Sequence, residues 1–195
     1  MKPVTDELIA TAAQVLTRAF RDNAGARWVI RKDDKQEERL KALCDFCLSV
    51  SMEKKGAFIT DANDGVTLIF TNNARQRLSH WVSSYFMLGQ KCIGWDRAVA
   101  IILRERNIRR RRPKRPHLYC WMFGIERSQP GLGAAIEMKD FVIRMSEESR
   151  LPIVAETTAE HLLVLYARYG FKVYDSWYVP EQKLTLWFLI RELPI

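Results

Sequence analysis

Apolar residues recur at intervals of three or four positions along much of this chain, and in two stretches they follow one another almost without interruption. The interval of three or four predicts amphipathic helices, because residues so spaced share one face of a helix. Helices are predicted over 5–20, over about 35–54, over 79–103 with a break near Gly94, from a glycine turn to Arg150, and over 159–171.

The nearly continuous apolar stretches are HLYCWMFGI (117–125) and LPIVAET (151–157), a pattern typical of strands covered on both faces. Two further pairs of β-rich runs enclose turn residues, and each pair predicts an antiparallel hairpin. They are AFIT (57–60) with VTLIF (66–70), and FKVYDSWYV (171–179) with KLTLWFLIREL (183–193). Strands that alternate with helices and close with hairpins indicate an α/β fold, a mixed sheet with helices on both faces.

A short glycine turn, ERSQPGLGAA (126–135), joins the strand at 117–125 to the helix that ends at Arg150. The turn would place several backbone N–H groups at a helix N-terminus, where the helix dipole favours a phosphate. A plain strand-to-helix turn uses the same residue types, and Pro130 removes one donor, so both interpretations stay open. The donors concerned belong to Gly131, Leu132, Gly133 and Ala134.

The charge of the chain is concentrated in one short run. The 195 residues include 31 Lys and Arg against 23 Asp and Glu, a net charge of +8. The run RERNIRRRRPKR (104–115) holds eight Arg or Lys against one Glu, and it therefore accounts for +7 of that charge. Pro113 and Pro116 predict a solvated, irregular connection here rather than a helix. Contact with phosphates or with an acidic surface is the alternative interpretation.

The four cysteines do not predict a metal site. Cys44 and Cys47 are spaced as in many zinc sites, but they lie in a predicted helix, and the three histidines are scattered. Buried free thiols in a reducing compartment are the favoured interpretation. The chain has no apolar run of about 20 residues and no signal-peptide pattern at MKPVTDELIA, so a soluble cytoplasmic protein without a membrane partner is expected.

The second half of the chain resembles the GNAT superfamily of acyl-CoA N-acyltransferases. The resemblance lies in the central strand HLYCWMFGIE, the glycine turn that opens a helix, Glu156-Thr157 at the end of the next strand, and the ending Tyr166-Ala-Arg-Tyr-Gly170-Phe171. It is specific over 117–193 and architectural over 1–103. It implies a GNAT-like mixed, mostly antiparallel central sheet with a parallel splayed pair, flanked by helices.

The resemblance also implies how one domain, 1–195, would be organised. Residues 1–103 would supply N-terminal helices and a β-hairpin on the acceptor side, 104–116 a basic connection, and 117–195 the half that binds acyl-CoA. The implied activity is N-acetyl transfer from acetyl-CoA, the co-substrate, to a primary amine by direct attack. The acceptor, an unidentified small-molecule amine, cannot be read from the sequence.

Site residues follow from the same resemblance. The pantetheine of acetyl-CoA would lie along backbone groups of Phe123, Gly124 and Ile125. Tyr166 would be the general acid, although its place on an apolar stripe equally fits a core residue. Glu156 and Glu126 are the candidate bases, and each has an alternative role: a cap for the next helix and a solvated loop residue, respectively.

Two other function classes compete with catalysis. A catalytically degenerate GNAT-like protein that binds acyl-CoA or another partner is the first alternative, because Ser128 stands where the family's phosphate motif begins with Gln or Arg. A nucleic-acid-binding module that uses Arg104–Arg115 is the less favoured alternative, since the charge is confined to one connection without interleaved aromatic residues. An exposed final hairpin strand could also pair two copies in a homodimer.

Overall fold

The computed structural model describes residues 1–74, 92, 94, 97–126 and 133–193. The helices of this part of the chain are α1 (Ile9–Ala19), α2 (Ala24–Val29), α3 (Gln36–Glu53), α4 (Ala98–Arg111), α5 (Gly133–Ser149) and α6 (Leu163–Arg168). The strands are β1 (Lys2–Pro3), β2 (Ala57–Ile59), β3 (Gly65–Thr71), β4 (Leu118–Ile125), β5 (Ile153–Thr157), β6 (Lys172–Val179) and β7 (Leu184–Arg191). None of the described helices combines the length and apolar character needed to cross a membrane.

These strands form a single sheet in the order β1-β2-β3-β4-β5-β7-β6. Each neighbouring pair is antiparallel except β4 and β5, which are parallel. The predicted fold class is therefore confirmed. Both predicted hairpins are present, as β2–β3 and β6–β7, and β7 lies between β5 and β6 so that it pairs on both sides.

The helices cover the two faces of the sheet. Adjacent residues of β3 point to opposite faces, and Leu68 joins a core with α1 and α3 while Ile69 joins a core with α5. A third, smaller core forms where Ile108 of α4 packs against Leu186 and Phe188 of β7. Helix α5 therefore lies on one face of the sheet, and α1 and α3 lie on the other.

The parallel strands β4 and β5 separate soon after they meet. Their register contains three pairs, and the last joins Cys120 to Ala155. Beyond that point β4 pairs with β3 and β5 pairs with β7. Trp121 is the extra residue of a bulge, because the residues on either side of it pair with the consecutive residues Leu68 and Ile69. A bulge bends its strand, so it assists the separation.

The prediction of an irregular connection over 104–116 is wrong for most of that range. Helix α4 continues to Arg111, since Arg is a good helix former and a last turn rich in Arg interacts favourably with the helix dipole. Arg112 is extended, with φ −65° and ψ 144°, because the residue before a proline is disfavoured in helical conformation. Pro113 thus ends the helix without preventing it upstream.

The other predicted helices correspond to described ones, with three differences. Helix α2 lies in a segment for which no helix was predicted, and there the Asn23 side chain accepts a hydrogen bond from the Ala26 N–H at 2.9 Å. The last helix consists of a 3₁₀ turn, Glu160–Leu162, followed by α6. The predicted segment 79–91 lies outside the described residues.

Candidate active site between the splayed strands

The separation of β4 and β5 opens into a groove of about 2530 Å³. This volume exceeds the roughly 300–1,000 Å³ of a typical small-ligand site, so the groove can take an extended ligand. Both faces of the sheet contribute to its lining. Cys120, Phe123 and Ile125 line it on the α5 side, and Tyr119, Trp121 and Glu156 line it on the side of α3 and α4.

The N-terminus of α5 lies beside the end of β4. A Cβ built on Gly65, the cross-strand partner of Ile125, would be 3.5 Å from the Cβ of Ala134. The space around Gly133 is open, since a Cβ there would meet no described atom within 4 Å. The first turn carries no acidic side chain, so its N–H groups, which have no partner within the helix, can donate hydrogen bonds to an anion. Gly131 and Leu132, also predicted to bind phosphate, lie outside the described residues.

Gly124 has a packing role that the sequence did not predict. A Cβ at this position would lie 3.1 Å from Ala19 Cβ, 3.2 Å from Leu16 Cδ2 and 3.3 Å from Phe20 Cε2. Glycine therefore allows α1 to pack directly on the end of β4. Its neighbours Phe123 and Ile125 line the groove.

Tyr166 lies where the two strands part. Its ring packs edge-on against Phe171, with centroids 5.4 Å apart, and its side chain lines the groove. Burial and the nearby Cys120 thiol raise the pKa of Tyr166 to about 12. Cys120 belongs to the last parallel pair, and its Sγ lies 3.9 Å from Thr67 Oγ1. Cys44, Cys47 and Cys92 are buried as predicted, whereas Cys120 is partly accessible.

Glu156 is held by an arginine and a tyrosine. Arg112 donates to its carboxylate through Nε at 2.6 Å and through Nη2 at 3.2 Å, and the Tyr119 hydroxyl donates to Oε2 at 2.7 Å. The Arg112 guanidinium also stacks on the Tyr119 ring, 3.9 Å from its centroid. Burial, followed by the charge of Glu156, raises the pKa of Tyr119 well above its ordinary value, so this phenol stays protonated.

Glu126 is placed differently. Its carboxylate forms an ion pair with Arg18 of α1, and its backbone N–H donates to the Asp64 carbonyl at 2.8 Å. It follows β4 directly and is not among the residues that line the groove. The two carboxylates predicted as bases therefore stand in separate environments, each paired with an arginine.

Several solved structures with the same architecture are described as acetyltransferases. No protein-family model matches the sequence, and no curated protein matches it at a significant level. The chain is similar over 100% of its length to a Corynebacterium glutamicum protein described as histone acetyltransferase HPA2 and related acetyltransferase, with a TM-score of 0.67, 18% identity and 96% of that chain covered. The chain is also similar to arylalkylamine N-acetyltransferase 2 from Aedes aegypti, with a TM-score of 0.64 and 11% identity. The match covers 99% of this chain and 98% of that chain. A third similar structure is the NatC complex bound to Gag peptide and CoA, with a TM-score of 0.53 and 13% identity. The match covers 99% of this chain and 97% of that chain.

The chain has the GNAT fold. Within it, the groove brings together Phe123, Ile125, Tyr166 and Glu156 among the predicted site residues, and it does not include Glu126. Two residues were missed by the sequence reasoning, Arg112 and Tyr119. The residue before Pro113 was a signal for an ordered arginine at a helix end, whereas Tyr119 gave none within its apolar strand.

Proposed function

We propose that the protein is an N-acetyltransferase that moves an acetyl group from acetyl-CoA to a primary amine by direct attack. The observation that carries the proposal is the separation of β4 and β5 beyond Cys120 and Ala155, with a bulge at Trp121 and with Tyr166 beside the opening. Backbone groups of β4 that face β5 beyond this point have no partner in that strand. Such groups are available to an extended polar ligand.

The reaction joins the amine nitrogen to the carbonyl carbon and breaks the carbon–sulfur bond, so the amine loses a proton and the thiolate gains one. A backbone N–H in the stretch Phe123–Ile125 would stabilise the tetrahedral oxyanion. Tyr166 would donate a hydrogen bond to the departing sulfur. Because its pKa is about 12, the phenol remains protonated at neutral pH and is available as a donor throughout the working range.

Glu156 is the better placed of the two candidate bases, because it lines the groove and Glu126 does not. Its carboxylate is already bound by Arg112 and Tyr119, so it would act on the amine through an intervening water. Arg112 and Tyr119 are then positioning residues, which fix the direction of the carboxylate. Glu126 instead forms an ion pair with Arg18 of α1.

Acetyl-CoA would occupy the α5 side of the groove. The N-terminal N–H groups of α5, from Gly133 and Ala134 onward, would bind its pyrophosphate, and the NatC structure bound to CoA shares the fold at a TM-score of 0.53. Residues 1–103 would then border the acceptor side and 117–195 the cofactor side. We further place the protein in the cytoplasm, where its free cysteines would stay reduced.

The second candidate function is a binding protein of the same fold without catalysis. The observation that favours it is the ion pairing of both candidate bases, Glu156 with Arg112 and Glu126 with Arg18. Such a protein would bind acetyl-CoA and release no free thiol in the presence of any amine. A homodimer through β6 fits either function, since β6 is an edge strand with β7 as its one partner in the described sheet.

Calorimetric titration of acetyl-CoA, followed by a thiol-release assay with a panel of primary amines, tests the proposal. We expect saturable binding and amine-dependent release of CoA. Absence of heat, together with an unchanged melting temperature at saturating acetyl-CoA, would overturn both candidate functions. Binding without thiol release across the amine panel would leave the binding protein as the correct function.

A further inference from the structure

Several cations line the wall of the groove opposite α5. Lys54, at the end of α3, lies 4.1 Å from the centroid of the Phe70 ring, which packs edge-on against Tyr119 and Trp121. Arg104 of α4 lies 5.3 Å from the centroid of the Trp28 ring, and Arg112 lies over Tyr119. All three cations line the groove. Aromatic faces thus hold them in place on the side of the sheet where α4 lies.

The carboxylates of this wall are already engaged. Glu105 pairs with Arg109 at 2.9 Å, and Glu156 pairs with Arg112 at 2.6 Å. Within the described ranges, neither Lys54 nor Arg104 lies within 4.0 Å of a carboxylate oxygen. These two cations therefore have no opposite charge bound to them in this part of the structure.

Arg104 also has an unused donor. Its Nε is buried and has no hydrogen-bond partner among the residues that the structure describes. By contrast, Arg97, which lies 5.2 Å from the centroid of the same Trp28 ring, donates to the carbonyls of Ile30 and Trp28, both at 2.6 Å. Buried arginine donors are almost always satisfied, so the side chain of Arg104 has donor capacity to offer a ligand in the groove.

Burial and neighbouring charges change the pKa values of Arg104 and Lys54. Burial lowers the pKa of Arg104, and burial together with the charges of Arg109 and Arg112 lowers the pKa of Lys54. Both shifts mean that burial makes the positive charge of these side chains costly. An anion bound to either cation in the groove would reduce that cost.

We propose that the acceptor carries a carboxylate or phosphate in addition to its amine, and that Arg104 and Lys54 bind this anionic group. The inference rests on the proposed acetyl transfer and names its substrate class. The position favours the acceptor over the cofactor, because the cations lie on the α4 side whereas the free N–H groups of α5 lie on the other face. The amine end would then point to Glu156 and the opening between the strands.

The test compares four acceptors in the thiol-release assay: β-alanine and O-phosphoethanolamine, which carry an anion, and propylamine and putrescine, which do not. We expect kcat/KM about ten- to a hundredfold higher for the anionic amines, the contribution of one or two charge-assisted hydrogen bonds. Arg104→Met and Lys54→Met should each remove most of that preference through KM, so that the anionic amines fall toward the kcat/KM of propylamine. Equal or better use of propylamine or putrescine, unaffected by either substitution, would overturn the inference and leave acetyl transfer intact.

Arg144→Met is the matched control, since Arg144 is exposed on α5 outside the groove and its loss removes the same charge. A weaker affinity of Arg104→Met for acetyl-CoA would assign the cations to the cofactor and would also overturn the inference. If no amine is acetylated, titration of O-phosphoethanolamine into the CoA-saturated protein tests whether the protein binds an anionic amine. Binding that Arg104→Met abolishes supports the inference, and no binding overturns it, whereas failure of acetyl-CoA itself to bind overturns the proposed function.

Discussion

Arg112 donates hydrogen bonds to both carboxylate oxygens of Glu156. It is the residue that directly follows helix α4. The extended conformation of Arg112, imposed by Pro113, directs its side chain from the end of α4 to β5. Both side chains are largely buried: 16% of the Arg112 side chain and 10% of the Glu156 side chain are exposed. Each buried charge is therefore stabilised mainly by its partner. The pair ties α4, β4 and β5 together at the wall of the groove.

Removing either charge from this pair should destabilise the fold. Glu156→Gln and Arg112→Met should each lower the free energy of unfolding by about 3 kcal/mol, because each leaves its partner charged and buried. Urea denaturation measures the change. Arg111→Met is the neighbouring control; its partner Asp175 is about one-third exposed, so its loss should cost at most about 1 kcal/mol. Equal costs for Arg111 and Arg112 would contradict the buried pair.

Two glycine substitutions should have opposite effects. Gly124→Ala should lower the free energy of unfolding by about 1–3 kcal/mol, because the new methyl group would press on α1. Gly133→Ala should leave stability unchanged or raise it by up to about 1 kcal/mol, since its surroundings are open and alanine favours helix. Thermal denaturation distinguishes them. If acetyl-CoA binds at the start of α5, Gly133→Ala should nevertheless weaken its affinity in the calorimeter.

Tyr166→Phe should lower kcat by about 10²-fold or more and leave the affinity for acetyl-CoA unchanged, because it removes only the donor to the departing sulfur. Steady-state kinetics and titration of acetyl-CoA separate the two quantities. Tyr178→Phe removes an equivalent hydroxyl from the exposed surface of β6 and should change neither. An equal kcat for Tyr166→Phe and the native protein would assign Tyr166 to the core alone.

Alkylation of Cys120 by iodoacetamide should report on the cofactor side of the groove. Burial raises the pKa of this thiol to about 11, so its thiolate fraction, and the labelling rate, should keep rising about tenfold per pH unit from pH 8 to 10. An ordinary thiol would level off near pH 9. Saturating acetyl-CoA should slow the alkylation of Cys120. Mass spectrometry of the Cys120 peptide measures the extent of alkylation over time. Labelling unchanged by acetyl-CoA would exclude the cofactor from this face.

The regular elements could be predicted from the sequence because their apolar spacing matches their place in the fold. The continuous run at 117–125 is a strand covered on both faces, and the spacing over 35–54 corresponds to α3. The continuation of α4 beyond Leu103 was missed because its arginines hide the apolar spacing of residues such as Ile108, which packs on β7. Composition alone cannot distinguish a solvated charge run from a helix whose arginines reach into a groove.

The candidate site was harder to predict than the fold. The position of Tyr166 beside the opening follows from the family resemblance, and the separation of the strands follows with it. The pairing of Arg112 with Glu156 joins residues 44 positions apart, and it depends on where α4 ends. The packing reason for Gly124 depends on α1, which is equally remote in sequence. A pattern of neighbouring residues in the sequence cannot predict contacts between residues so far apart.

Strand β7 follows β5 and β6 in sequence and lies between them in the sheet. Strand β5 has three register pairs with β4 and five with β7, so its larger interface forms with a strand that is synthesised later. During translation, β5 therefore leaves the ribosome before most of its hydrogen-bond partners exist. The strand that completes the groove therefore gains most of its sheet partners only after the final hairpin has folded back, which makes closure of the sheet a long-range step.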